Sequence, residues 1–159
     1  MLLHKARTFY GLPSFTRQAA VLTVLAVPAA AVTVHWRGLK HARRMLGRGA
    51  GRHLGQMISD EDKVIGVVRG FKLGLRYAPY KGNCLSRSLA LSWLLRRQGI
   101  ESDLRIGVRN HEGEFQAHAW VEYQNQVLND ARDVASRYRP FDERLGPEWV
   151  GVRIREGQP

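Results

Sequence analysis

A chain of 159 residues with 25 Lys and Arg against 14 Asp and Glu carries a formal charge of +11, and its length supports one hydrophobic core and little else. Its only cysteine, Cys84, excludes an intramolecular disulfide framework and fits a reducing, cytoplasmic setting. His4, His35, His41, His53 and His111 are scattered, and neither HExxH, CxxC nor a Gly-Lys-Ser/Thr loop ending occurs, so no metal and no cofactor are expected.

Residues 1–59 hold nine Lys or Arg and no acidic residue, whereas residues 60–159 are nearly balanced, with sixteen basic and fourteen acidic side chains. A basic arm of this kind can be a solvated face, or it can meet anionic lipid, nucleic acid or an acidic protein. No aromatic–basic interleaving or nucleic-acid module accompanies it, and nucleic acid is not expected as a partner. Within the arm, residues 19–34 form an apolar run interrupted by Pro28 and bracketed by Arg17 and Arg37. The run is shorter than the ~20 residues that span a bilayer. It has some look of a secretory signal, but the stretch ahead of it is long for one, and a buried helical hairpin kinked or divided at Pro28 is the expected form. Trp36, Leu39, Met45 and Leu46 among Arg37, Lys40, Arg43, Arg44 and Arg48 outline an amphipathic basic helix. Such a helix can dock on a membrane surface or a partner, which makes Arg43, Arg44 and Arg48 candidate docking residues. The glycine-rich stretch 47–55 reads as a flexible basic connection.

A second helix is expected over residues 60–75. Ser59 and Asp62 make a capping pattern, acidic residues fill the first turn, and Val64, Val67, Val68, Phe71 and Leu75 form a core stripe. Pro79 ends the segment, and residues 80–83 lead into Cys84. From there Leu85, Leu89, Ala90, Trp93 and Leu94 recur at helical spacing, Arg96 and Arg97 fill the last turn, and Gly99 stands where a helix stops. With Asn83 as N-cap, the thiol lies in the first helical turn, where unpaired N–H groups and the positive dipole end favour a thiolate.

Residues 104–108, 115–123 and 126–130 then read as an antiparallel meander. A three-residue loop centred on Gln124 would set Gln126 opposite Glu122, Leu128 opposite Trp120 and Asp130 opposite His118. Directly opposed side chains have Cβ atoms about 5 Å apart, close enough for a carboxylate to hold an imidazole. A two-residue loop would break that pairing, and the sequence does not choose between them. Taken singly, a cysteine is most often a small buried hydrophobe, a strand histidine a polar filler and a terminal aspartate a turn former. Together, in the order Cys84, His118, Asp130, they supply a nucleophile, a base and a group that orients the base. Beyond Asp130, residues 139–140 and 146–147 are turn signals, and residues 149–154 suggest a last strand.

The segment GNCLSRSLALSWLLRRQGIESDLRIGVRN, followed by FQAHAWVEYQNQVLND, resembles the transglutaminase-like cysteine peptidases of lasso-peptide biosynthesis. The resemblance covers residues 80–130. It implies an α+β fold with a papain-like core, in which a nucleophile helix packs on an antiparallel sheet behind N-terminal helices. It also implies a hydrolase, a leader peptidase that removes the leader from a ribosomally made natural-product precursor before a separate ATP-dependent cyclase closes the ring. Carried over to this chain, Cys84 would be the nucleophile, His118 the base and then acid, and Asp130 the orienting carboxylate. The Cys84 N–H and a second donor, Asn83 or Tyr80, would hold the oxyanion. Trp120 shares the His118 face and could shield the imidazole or line a substrate groove, although packing is its ordinary role.

Residues 1–58 and 59–159 are read as an N-terminal helical region and a catalytic core within one domain. Longer relatives carry a fused leader-recognition unit. The arm here has no strand-rich module, so recognition is expected from a separate protein, with the lasso precursor, that protein and the cyclase as partners. Two other readings stand beside this one. One is a transglutaminase-like acyltransferase that forms amides, and the other is a non-catalytic basic binding protein with Cys84 merely buried.

Overall fold

The computed structural model describes residues 10–46, 59–111, 114–140 and 155–156. Its helices are α1 (Ser14–Leu46), α2 (Asp60–Tyr77), α3 (Cys84–Arg97) and the short α4 (Val134–Arg137). Its strands are β1 (Asp103–His111), β2 (Glu114–Tyr123), β3 (Gln126–Val127), β4 (Arg139–Pro140) and β5 (Arg155–Glu156). The sheet runs β3-β2-β1-β4, with β5 parallel to the start of β2. The result is the α+β arrangement with N-terminal helices that the sequence led us to expect.

The apolar run of the arm is not a hairpin. α1 continues through Pro28 and breaks at Gly38, whose φ of 74° lies in the left-handed region open to glycine. An interior proline costs a helix roughly 3 kcal/mol. Here Ala19, Ala20, Ala26, Val27 and Ala30 are all buried along one face of α1, and a turn at Pro28 would divide that face. The resulting helix is also longer than the run suggested. Ser14–Leu39 is long and apolar enough to cross a membrane by length and composition, with 33% of its apolar window buried inside the protein. Val21, Leu25, Val32 and Trp36 stay exposed on it.

α1 lies on α2 at backbone distance. Gly66, Gly70 and Gly74 recur every fourth residue and so share a face. A Cβ on them would come within 2.8 Å of Thr16 Oγ1, 2.8 Å of Ala19 Cβ and 2.6 Å of Thr23 Cβ respectively. Around this seam Phe15, Val27, Val67, Phe71, Leu91, Leu95 and Val121 form one core, which draws α1, α2, α3 and β2 together. α2 begins where Ser59 Oγ accepts the Asp62 N–H at 3.2 Å, and it runs two residues past the expected end.

α3 is closed at both ends by its own sequence. Asn83 Oδ1 accepts the Ser86 N–H at 2.9 Å. At the other end Gly99, with φ 78°, donates to Arg96 O, and Ile100 donates to Leu95 O, which is the Schellman pattern.

The β2–β3 connection differs from the three-residue loop considered above. Glu122 pairs with Val127 and Tyr123 with Gln126, leaving a two-residue turn. Gln124 and Asn125 both have positive φ, 48° and 63°, as a type I′ turn requires. Leu128 N–H still reaches Val121 O at 2.9 Å, after which the chain leaves the ladder. Of the candidate docking residues, Arg43 and Arg44 fall near the end of α1 with side chains outside the described residues. Arg48, the 47–55 connection and the expected strand at 149–154 also lie outside them.

Candidate active site

Cys84 opens α3 directly behind the Asn83 cap, half-buried and with a free thiol. The N–H groups of a first helical turn have no intrahelical partner and face the positive end of the dipole. Burial pushes the thiol upward. That push is outweighed by a hydrogen bond with His118, the Ala119 N–H, the charge of His118 and the Leu85 N–H, so the thiol sits below its ordinary value. The same hydrogen bond raises His118 above its ordinary value; burial opposes this and Asp130 reinforces it. Both shifts favour a thiolate beside an imidazolium.

His118 Nε2 meets Asp130 Oδ2 at 2.5 Å. A carboxylate only accepts, so Nε2–H donates there, and Nδ1 is the ring nitrogen left for the thiol. Asp130 Oδ1 accepts the Ala131 N–H at 2.7 Å and lies 3.8 Å from Arg137. The two-residue turn would by itself set Asp130 opposite Ala119. The carboxylate reaches His118 because the chain bends away from β2 after Leu128 and Asn129 takes over the ladder with its side chain.

That substitution is the centre of a small network. Asn129 Oδ1 accepts the Val121 N–H at 2.8 Å, and its Nδ2 donates to Ser88 Oγ at 2.9 Å. Ser88 Oγ in turn donates to Ala119 O at 2.9 Å. Ser88 is fully buried, one helical turn after Cys84. In an antiparallel strand a residue's N–H and C=O point to the same side. Ala119 therefore offers its carbonyl to Ser88 and its N–H to the Cys84 sulfur, which ties the first turn of α3 to the strand that carries His118.

A second wall is aromatic. Tyr138 stacks on His118 with ring centroids 5.1 Å apart, and Trp120 lies 6.4 Å from the imidazole at an interplanar angle of 20°. The Arg109 guanidinium sits 4.8 Å from the centre of the Tyr138 ring. Gly107, paired with His118 across the sheet, makes room for this stack. A Cβ there would come within 2.8 Å of Tyr138 Cβ and 2.9 Å of Trp120. Trp120 is wholly buried and donates Nε1–H to Glu122 Oε1 at 2.7 Å, so it backs the imidazole from the core rather than lining an open groove.

The structure thus brings Cys84, His118 and Asp130 together. Asn83 acts as the cap of α3, and Tyr80, 47% exposed, lies with Asn83 on a cavity facing α1 rather than among the three. Sequence reasoning missed Ser88, Asn129 and Tyr138. Ser88 could have been found, since it lies four residues from Cys84 and therefore on the same helix face. Tyr138 carries no such signal because its place depends on the β1–β4 pairing. Among the described residues, no group of three or more His, Cys, Asp or Glu could hold a metal ion. Chemically, the arrangement offers an activated sulfur, a proton carrier beside it and, in the Cys84 N–H, a donor for a developing oxyanion.

The family described as the transglutaminase-like superfamily matches residues 22–142. The microcin J25-processing protein McjB of Escherichia coli is 40% identical over 58 residues, which cover 36% of this chain and 27% of McjB. No solved structure matches.

Proposed function

This chain belongs to the transglutaminase-like superfamily, and on that premise we propose that it is a cysteine peptidase that removes the leader from a lasso-peptide precursor. The observation that carries the reading is a helix-terminal thiol hydrogen-bonded to an imidazole that a carboxylate orients. The similarity to a microcin J25-processing protein supports the substrate class.

In the proposed reaction the Cys84 thiolate attacks the carbonyl carbon of the leader's last residue. The oxyanion forms against the Cys84 N–H, with Asn83 as the candidate for a second donor. As the C–N bond breaks, imidazolium His118 gives its proton to the departing amine of the core peptide, leaving a thioester. His118 then takes a proton from water as the water oxygen attacks that thioester. The C–S bond breaks, the leader leaves as a carboxylic acid, and thiolate and imidazolium are restored. Asp130 holds Nε2 throughout, so that Nδ1 keeps facing the sulfur.

A separate leader-recognition protein completes the proposal, with Arg43, Arg44 and Arg48 as its docking residues. The test is mass spectrometry of a precursor incubated with wild type or Cys84→Ala, with and without that protein. Cleavage at the leader–core junction by wild type alone among the two supports the reading. A product mass showing an amine in place of water would move it to acyl transfer, and an intact precursor in every mixture would contradict it.

A further inference from the structure

The hydrogen bond to Asp130 fixes one atom of the His118 ring and leaves its plane open. Torsion about the Cβ–Cγ bond of a histidine is broad, so the side chain's own preferences do not set that plane. The His118 and Asp130 side chains are 25% and 24% exposed, so water reaches the pair that does the orienting. A ring that tilted about its Nε2 bond would carry Nδ1 off the Cys84 sulfur. Tyr138 lies on the ring and opposes that tilt. The two centroids are 5.1 Å apart and the planes 27° apart, within the offset-stacked range of aromatic pairs. Trp120 does not share the task from the other side: at 6.4 Å from the imidazole and 6.5 Å from Tyr138, it is too close to Tyr138 to cover the opposite face of His118.

Tyr138 is itself held in three ways. Its N–H donates to Val134 O at 3.1 Å, and Val134 is wholly buried. The next two residues, Arg139 and Pro140, pair with Val108 and Gly107 of β1. The Arg109 guanidinium sits 4.8 Å from the centre of the tyrosine ring, and Arg109 Nε donates to Gln116 Oε1 at 2.8 Å. Arg109 and Gln116 are directly opposed across β1 and β2, as Gly107 and His118 are. Residues two apart on a strand share a face, so Gln116, Arg109, Tyr138 and His118 make a continuous chain of contacts over one face of the sheet. An aromatic ring also attracts a cation within about 6 Å of its centre. Tyr138 therefore favours the protonated imidazole with which the reaction begins.

We propose that Tyr138 is a positioning residue: its ring holds the plane of His118 so that Nδ1 faces the Cys84 sulfur, and Arg109, braced by Gln116, holds Tyr138. The inference rests on the peptidase reading for its effect on cleavage, whereas the pH midpoint of Cys84 alkylation by iodoacetamide reads it without a precursor. Tyr138→Leu keeps bulk and loses the ring. It should raise the midpoint by about half a pH unit and slow alkylation at neutral pH roughly threefold. It should also lower kcat for cleavage about tenfold with KM little changed. Tyr138→Phe should restore wild-type behaviour in both assays. The charged groups around the imidazole stay in place in both variants: Cys84 from α3, Asp130 with Arg137 beside it, Glu122 bonded to Trp120, and Arg109 from β1. The difference between the two variants therefore reports the stack. Arg109→Met, read at high salt so that its missing charge is screened, should move the midpoint in the same direction by less.

A midpoint unchanged in Tyr138→Leu and Arg109→Met, even with a lowered melting temperature, overturns the inference and leaves Tyr138 as packing. Should Tyr138→Leu not fold, an unchanged midpoint in Arg109→Met overturns it alone. A midpoint displaced as far in Tyr138→Phe as in Tyr138→Leu also overturns it, since the hydroxyl and not the ring would then be acting. Failure of wild type to cleave any precursor, with the alkylation shifts as stated, would count against the peptidase reading and leave the positioning of His118 by Tyr138 standing.

Discussion

Two seams hold this molecule together, and they are built differently. Where α1 meets α2, Gly66, Gly70 and Gly74 let Thr16, Ala19 and Thr23 approach until backbones nearly touch, and the contact is close packing with little directional bonding. Where α3 meets β2, the contact passes through Ala119, Ser88, Asn129 and Val121, each joined to the next by a hydrogen bond of 2.8 or 2.9 Å. Packing is cohesive but does not point anywhere, whereas hydrogen bonds fix angles. The seam that only has to hold uses the first. The seam that has to aim a sulfur at an imidazole uses the second.

Four variants can break or sharpen that contrast. Asp130→Ala should reduce precursor cleavage by about 10²–10⁴-fold, read as kcat, because the imidazole loses its orienting partner and its tautomer. It should leave the melting temperature nearly unchanged, as Asp130 is a surface residue outside both seams. Gly70→Val should destabilise the fold by up to about 3 kcal/mol in denaturant titration, since a Cβ there already meets Ala19 at 2.8 Å. The folded fraction should keep wild-type thiol reactivity. Ser88→Ala should cost about 1–3 kcal/mol by leaving Ala119 O and Asn129 Nδ2 without their partner. Unlike Gly70→Val, it should also lower kcat more than it raises KM. If Ser88→Ala changed stability alone, the α3–β2 seam would be cohesive only. The smallest effect is at the turn. Replacing Gln124 and Asn125 with Asn and Gly should stabilise by about 0.5 kcal/mol, because both positions need positive φ. Destabilisation in urea would argue for the three-residue loop instead.

The sequence made some of this legible because the signals were local. The start and stop of α3 lay in Asn83 and Gly99, residues whose capping chemistry acts within a few positions. The capping pattern at Ser59 worked in the same way for α2. What escaped was set by tertiary contact. Pro28 argued for a kink or a division, and the buried small-residue face of α1 overrode it. The grouping of His118 with Asp130 was anticipated through a register the chain does not adopt. The actual turn shifts the pairing by one, and the Asn129 side chain and the bend after Leu128 restore the contact. Tyr138 could not be placed beside His118 without knowing that β4 pairs with β1 and that Gly107 leaves room there.

The pH dependence of Cys84 alkylation by iodoacetamide, in wild type and His118→Ala, tests the central claim most directly, since it needs neither precursor nor partner. The thiol is held below and His118 above their ordinary values, because the charged form of each favours the charged form of the other. Reactivity in wild type should therefore reach its plateau below the usual thiol range. Cleavage should rise through the same midpoint and fall once His118 loses its proton above the usual imidazole range. In His118→Ala, burial is opposed only by the Ala119 and Leu85 N–H groups, so the midpoint should move upward and alkylation at neutral pH should slow about tenfold for each pH unit moved. A wild-type midpoint at the ordinary thiol value, indifferent to the loss of His118, would contradict the account.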